Sequence, residues 1–305
     1  MVEPIEYPPL EMPDNVTREK ITIWSNGIPL DGDIYRPDGL TGDTEVPGIV
    51  LSHGWGGDKY TPERYAAKFA SAGMITLCFT YSTWGESAGP LVPVDPQPSL
   101  DPNGQTTVAV RTPRDVMDPI AWVDDYRAAL AYLIGEPHVD VDRIGAWGTS
   151  FGGGTAITVA ATDPRVKALA VQVAMVIDIP EPFLELGVER ATQIARGEID
   201  PVPQGTDSFP GMRGTPHLAK LLHYDVPGHA ARLKIPTLFV DAANEEFFVP
   251  AQSSGAAHAV LDAGGEVPTY YEVIDGIDHY GIYFDGYERS SQLAYDWFCQ
   301  HLNVA

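Results

Sequence analysis

Five runs of aliphatic and aromatic residues, at 46–52, 74–79, 143–147, 166–173 and 236–240, recur along the chain with helical stretches between them. An antiparallel strand with one wet face alternates apolar and polar side chains, whereas a continuous apolar run marks a strand covered on both faces. Residues 62–72 place Tyr65, Phe69 and Ala72 at helical spacing, with Thr61 as N-cap and Gly73 as the stop. Residues 115–134 do the same through Ile120, Val123, Tyr126, Leu130 and Leu133. Strand and helix in alternation predict an α/β protein with a mostly parallel, doubly wound sheet. Residues 270–274 add a strand, and residues 286–302 a closing helix. Ahead of them all, residues 20–24 and 30–35 alternate around Asn26-Gly27, the composition of a hairpin turn, so an antiparallel N-terminal hairpin opens the sheet.

Two stretches stand outside this alternation: residues 84–114, rich in Pro, Gly and Asp, and residues 176–232, a mixture of short amphipathic pieces and loops. Long inserts in a compact domain are usually lids or binding loops. The expected organisation is a core of residues 1–175 and 233–305, with residues 176–232 as a lid or cap. Apolar residues such as Phe183, Phe209, Met212 and Leu221 give that insert enough surface to roof a pocket.

A chain of 305 residues with 44% hydrophobic and 20% charged residues can bury a large core and is not biased toward disorder. Its 42 acidic and 19 basic residues leave a formal charge of -23, a field that repels nucleic acid and anionic membranes. Neither partner is expected, and the sequence permits a homo-oligomer. The first residues carry acids and prolines where a signal peptide needs a basic segment and an apolar run, which predicts a cytoplasmic protein. Cys78 and Cys299 lie too far apart for a metal motif and read as reduced core residues. The histidines at 217, 223 and 229 recur every six residues, which on one helix would turn them away from one another, so no metal site is expected.

The sharpest motif is residues 144–154, Ile-Gly-Ala-Trp-Gly-Thr-Ser-Phe-Gly-Gly-Gly. A strand-like run stops at Gly148, and a small-residue helix starts just past Gly154. In Gly-x-Ser-x-Gly the serine, here Ser150, occupies a strained bend between strand and helix, and the flanking glycines remove side chains that would collide there. The helix start supplies free N–H groups and a positive dipole end where a serine attacking a carbonyl would generate charge. The competing reading is a glycine-rich turn whose serine only caps the helix.

With this elbow, an upstream His53-Gly54-Trp55-Gly56-Gly57 after a buried strand, and this strand order, the chain resembles the α/β-hydrolases, nearest to the dienelactone-hydrolase-like branch and related esterases and peptidases. The resemblance runs from about residue 20 to residue 302 outside the two inserts. Ser150 stands where dienelactone hydrolases proper carry cysteine. The resemblance implies a triad in the order serine, acid, histidine. His279, in a loop between the last strand and the last helix, takes the place of the base. The acid lies in residues 241–250: counting forward from Pro236 selects Glu245, and counting back from Val249-Pro250 selects Glu246. Strand register fixes direction more tightly than a loop does, which favours Glu245. The resemblance places the oxyanion donors at the backbone N–H groups of Trp55 and Phe151, and gives His53 a structural role in its loop.

Three further residues are candidates for substrate contacts. Trp84 sits in a turn similar to the family's Arg-Gly-x-Gly-x-Ser, a structural element first and an acyl-pocket wall second. Arg111 and Arg114 form a basic pair in a chain short of cations and could hold a substrate carboxylate. The plainer alternative, that they balance Asp115 and Asp118, leads to the expectation that neutral esters are preferred. The resulting expectation is a serine hydrolase of small-molecule carboxylic esters or lactones, needing no cofactor. A peptidase of the same fold and a non-catalytic ligand receptor on the same scaffold are the alternatives; such peptidases usually carry an additional large domain, and none fits within these residues.

Overall fold

The computed structural model describes residues 5–95 and 97–304. Strands β1 (Val16–Ser25) and β2 (Ile28–Pro37) form the expected hairpin. Its turn residues Asn26 and Gly27 have φ of 48° and 80°. Two consecutive left-handed residues match the right-handed twist of the flanking strands, and Asn-Gly adopts them at little cost. Strand β2 then pairs antiparallel with β4 (Ile75–Phe79), and from there the sheet is parallel. It continues through β3 (Val46–Ser52), β5 (Val139–Thr149), β6 (Val166–Gln172), β7 (Thr237–Ala242) and β8 (Thr269–Ile274), in the spatial order β1-β2-β4-β3-β5-β6-β7-β8.

Alternate residues of the central strands feed two separate cores. Val50, Leu77, Leu169 and Val171 face the cluster built with α2 (Pro119–Ile134) and α3 (Phe151–Thr162). Ile49, Leu51, Cys78, Ala168 and Ala170 face the opposite cluster, with α1 (Glu63–Ser71) and α8 (Tyr287–His301). Both faces are therefore covered, which is why these strands read as unbroken apolar runs. Helix α7 (Ser254–Gly264) joins the first cluster through Ala257 and Leu261.

Several boundaries differ from the sequence expectation for identifiable reasons. Helix α2 begins at Pro119 rather than 115, because the Asp118 carboxylate accepts the N–H groups of Ile120 and Ala121 and so caps it. The three residues before that cap instead reach the second insert, where Val116–Met117 pairs in parallel with Thr215–Pro216. Thr61 does not cap α1; its hydroxyl accepts the N–H of Asp58.

The insert at 176–232 contains α4 (Glu181–Ala195), α5 (Leu218–Leu221) and α6 (Val226–Ala230), and it is not one lid. Tyr224, Val226 and Ala230 are buried in the cluster with α3, and the Tyr224 ring stacks on Phe151 at 5.2 Å. That last part belongs to the core by its packing.

Asp125 and Asp241 sit inside the protein with no cation beside them among the described residues. Asp125 accepts the N–H of Ser82 at 2.8 Å, and burial pushes its carboxyl up to about 6. Asp241 does not end β7 but lies within it, fully buried, accepting from Ser254 Oγ at 3.1 Å and Tyr271 Oη at 3.2 Å. Burial pushes this carboxyl from an ordinary 3.8 to about 7, against those hydrogen bonds. A raised native value means the folded state holds a proton that the unfolded state releases between about 4 and 7, so Asp241 withdraws stability as pH rises through that window. Asp241→Asn should therefore gain on the wild type over the same rise. Urea midpoints of both proteins across that range check it; a constant difference would show that Asp241 titrates normally.

Candidate active site

Ser150 joins the end of β5 to the start of α3 with φ of 54° and ψ of -128°, a backbone geometry that non-glycine residues rarely adopt. The surrounding approach is close. A Cβ on Gly152 would lie 2.0 Å from the carbonyl oxygen of His53, and one on Gly148 would lie 2.4 Å from the carbonyl oxygen of Gly152. Only glycine fits at either position, which explains the motif's spacing. The bend is held by the Ser150 N–H donating to Gln172 O at 3.0 Å and by Met175 N donating to Ser150 O at 3.2 Å. The serine hydroxyl makes no capping bond to α3. It lies instead 3.0 Å from Nε2 of His279.

His279 occupies the loop between β8 and α8, so the turn at the end of the last strand carries it back over the elbow. Its Nδ1 is 2.7 Å from Oε2 of Glu245. Both side chains are sealed from solvent, at 3% and 0% exposure, so their electrostatic coupling is not diluted by water. Glu245 is fixed in turn, its Oε1 accepting the N–H of Phe247 at 3.0 Å. Glu246, the other carboxylate the sequence singles out, does not touch the imidazole. Its Oε2 accepts the backbone N–H of His279 at 3.0 Å. The two adjacent acids thus hold the same residue by different atoms, one at the ring and one at the main chain. The rings of Phe247 and Tyr280 stand edge-on to the imidazole at 4.8 and 5.2 Å and wall it.

The loop after β3 backs directly onto the elbow: a Cβ on Gly54 would meet the Ser150 Cβ at 2.7 Å. Among the described residues, neither the Trp55 N–H nor the Phe151 N–H has a hydrogen-bond partner. His53 secures the start of this loop. Its Nε2 accepts the N–H of Tyr81 at 3.2 Å, so the ring proton is on Nδ1, which donates to Gly54 O at 2.7 Å. Burial pushes its pKa down to about 4, so the ring stays neutral and keeps this tautomer at ordinary pH. Lys59 secures the loop's far end, its Nζ donating to Asp31 and Asp33 on β2 at 3.0 Å each, with all three side chains buried. The Trp55 indole Nε1 donates to Arg213 O in the insert at 2.7 Å.

The three residues expected at the substrate lie elsewhere. Trp84 does not wall the site; it is fully buried, donates from Nε1 to Val116 O, and packs on Trp122 beneath the first insert. Arg111 is engaged by Asp200 and the carbonyl of Val202. Arg114 donates to the carbonyls of Ser87 and Gly85. Both arginines tie loop to loop. They do not balance Asp115 and Asp118 either, since those pair with Arg213 and Lys220. Sequence reasoning missed Tyr7, Tyr280 and Tyr283, which share the reacting cavity with Ser150 and His279. Tyr280 was within reach as the neighbour of His279, but nothing in the sequence marks Tyr7. Among the described residues no cluster of His, Cys, Asp or Glu is placed to hold a metal, and no helix is long and apolar enough to cross a membrane.

Comparison with known proteins agrees with this architecture. The model of the X-Pro dipeptidyl-peptidase (S15) family matches residues 26–199, and that of the prolyl oligopeptidase family matches residues 121–305. An uncharacterized 31.7 kDa protein of the traX-finO intergenic region of Escherichia coli is 26% identical over 295 residues, covering 86% of this chain and 93% of that protein. The quorum-quenching protein AidA of Acinetobacter baumannii is 31% identical over 149 residues, covering 48% of this chain and only 41% of its own length. The structure of a dienelactone hydrolase from Anabaena variabilis superposes with a TM-score of 0.57 at 16% identity, over 94% of this chain and 99% of that one. Each of the two family models spans more than half of the chain, and the protein therefore belongs to these related families within the α/β-hydrolase superfamily of serine hydrolases.

Proposed function

We propose that this hydrolase cleaves carboxylic esters or lactones through an acyl-enzyme on Ser150. The observation that carries the proposal is the unbroken sequence of contacts from Ser150 Oγ to His279 Nε2 and from His279 Nδ1 to Glu245 Oε2. In this reading Nε2 takes the hydroxyl proton as Oγ attacks the ester carbonyl, and Glu245 steadies the imidazolium that forms. The carbonyl oxygen, now negative, turns toward the unpaired N–H groups of Trp55 and Phe151. The imidazolium then protonates the departing alkoxide. Water, deprotonated by the same histidine, releases the acid and restores the serine. For a lactone the leaving oxygen stays tethered and the product is a hydroxy acid. The chain's own groups supply every proton transfer in this scheme, with a small-molecule ester as partner.

The matches to two peptidase families favour a second reading, hydrolysis of peptide bonds by the same residues. One experiment separates these readings from a ligand receptor. The protein is treated with a fluorophosphonate and digested, and turnover of a p-nitrophenyl ester is compared with that of a proline-containing p-nitroanilide. Labelling at Ser150 with ester turnover far above anilide turnover is expected. The opposite preference makes the chain a peptidase, and an unlabelled Ser150 makes the scaffold a receptor.

A further inference from the structure

Three cavities share the indole of Trp55. The smallest, about 20 Å³, touches Ser150 and His279 and is the reacting space. A second, about 70 Å³, lies beneath the insert against Phe151, Met117, Ile179, Phe183 and Leu221, and its lining is apolar or aromatic throughout. The third, about 350 Å³, is lined by Trp55 together with Tyr7, Tyr60, Tyr280 and Asp58. Which half of a substrate enters which cavity follows from the proton's path, and this step rests on the acyl-enzyme chemistry proposed above. The leaving oxygen must receive its proton from His279 Nε2, so the leaving group departs on the histidine's side. Tyr280, the next residue, lines the reacting space and the large cavity but not the apolar one. Phe151, whose N–H faces the oxyanion, lines the apolar cavity but not the large one.

The charges of the large cavity are unevenly matched. Glu63 is paired with Arg18 at 3.1 Å, and Arg213 with Asp115 at 2.7 Å. Asp58 forms no ion pair among the described residues. Its Oδ1 accepts the N–H of Tyr60 at 3.0 Å, and its other oxygen has no partner there. Burial pushes its carboxyl up, while the Tyr60 N–H and the nearby charges of Lys59 and Arg213 pull the other way. Four aromatic side chains, those of Tyr7, Trp55, Tyr60 and Tyr280, line the same cavity; the Tyr60 ring already has Arg18 and Lys59 at 5.5 and 5.3 Å from its centre, which leaves Tyr7, Trp55 and Tyr280 for a ligand. A carboxylate held in no ion pair, in a cavity lined by aromatic side chains, is chemistry suited to an ammonium group.

We propose that the large cavity is a leaving-group subsite for a cationic alcohol, while the apolar cavity takes a short acyl chain. At about 10–15 Å³ for each water-sized group, the apolar cavity holds roughly five or six carbons. The preferred substrate is an ester of a short apolar acid with an amino or quaternary ammonium alcohol.

The test compares kcat/KM for butyrylcholine with that for 3,3-dimethylbutyl butyrate, its uncharged isostere, in wild type and in Asp58→Asn. Asparagine keeps an oxygen for the Tyr60 N–H, so the turn is preserved. A wild-type preference for the cationic ester on the order of tenfold is expected, falling toward unity in the variant. A wild-type ratio below about threefold overturns the subsite, and so does a larger ratio that survives Asp58→Asn. Inhibition by tetramethylammonium, competitive in the wild type, reads the same subsite without any variant; its absence also overturns the proposal. Fluorophosphonate labelling of Ser150 in the same samples keeps the two proposals apart. If Ser150 labels and the neutral ester is cleaved without charge preference, only the subsite fails; if Ser150 stays unlabelled, the acyl-enzyme reading fails first.

Discussion

Replacing Ser150 with alanine is expected to lower kcat on a p-nitrophenyl ester by about 10⁴- to 10⁶-fold while leaving the fold in place. The hydroxyl makes one contact in the resting protein, to His279 Nε2, and the backbone bonds that hold the elbow come from the main chain. Removing Oγ deletes the attacking atom and at most about 1 kcal/mol of hydrogen bonding. The left-handed φ of 54° is equally awkward for alanine and serine, so the substitution neither relieves nor adds backbone strain. Turnover and a thermal melt, measured on one preparation, check both halves. Residual activity within tenfold of wild type would remove Ser150 from the chemistry.

Glu245→Gln should cost about 10⁴-fold in kcat, whereas Glu246→Gln should cost tenfold at most. The difference lies in what each carboxylate touches. Glu245 accepts from the ring at Nδ1, and an amide there can present its NH₂ group, moving the ring proton to Nε2. A histidine protonated at Nε2 cannot take the serine's proton. Glu246 accepts from the main-chain N–H of His279, and glutamine offers a carbonyl oxygen for the same bond. Its replacement weakens a charge-assisted hydrogen bond without disturbing the tautomer. Kinetics of the two variants on one ester decide the matter, and the reverse order would transfer the role to Glu246.

The strands and the elbow were legible because their signals are local. An unbroken apolar run such as residues 46–52 requires cover on both faces whatever the rest of the chain does, and Gly148 and Gly152 record a collision between atoms a few residues apart. The carboxylate that meets the His279 ring was legible to within one residue, since register from Pro236 counts along a strand. What resisted sequence reading depends on partners distant in the chain. Arg111 finds Asp200, and Arg114 finds carbonyls at 85 and 87, pairings that no periodicity encodes. Trp84 was misplaced because a tryptophan in a turn is equally suited to line a pocket or to fill a core, and only Trp122 and the Val116 carbonyl decide between them. Tyr7 comes from a proline-rich lead that carries no pattern, yet it packs edge-on against Tyr283 at 5.1 Å. Helix α6 is too short to show a buried stripe in the sequence, although Val226 and Ala230 are core residues.

The bridge from Lys59 to Asp31 and Asp33 ties the outer hairpin to the loop that carries Trp55. Strands β1 and β2 lie at the far edge of the sheet from His279, in the region a protein engineer would shorten first when trimming the scaffold. Cutting them away would remove both carboxylates that hold Lys59 and so release the far end of the loop that carries Trp55. Shortened versions of this hydrolase should therefore retain the hairpin, whose two carboxylates anchor that loop from the opposite edge of the sheet.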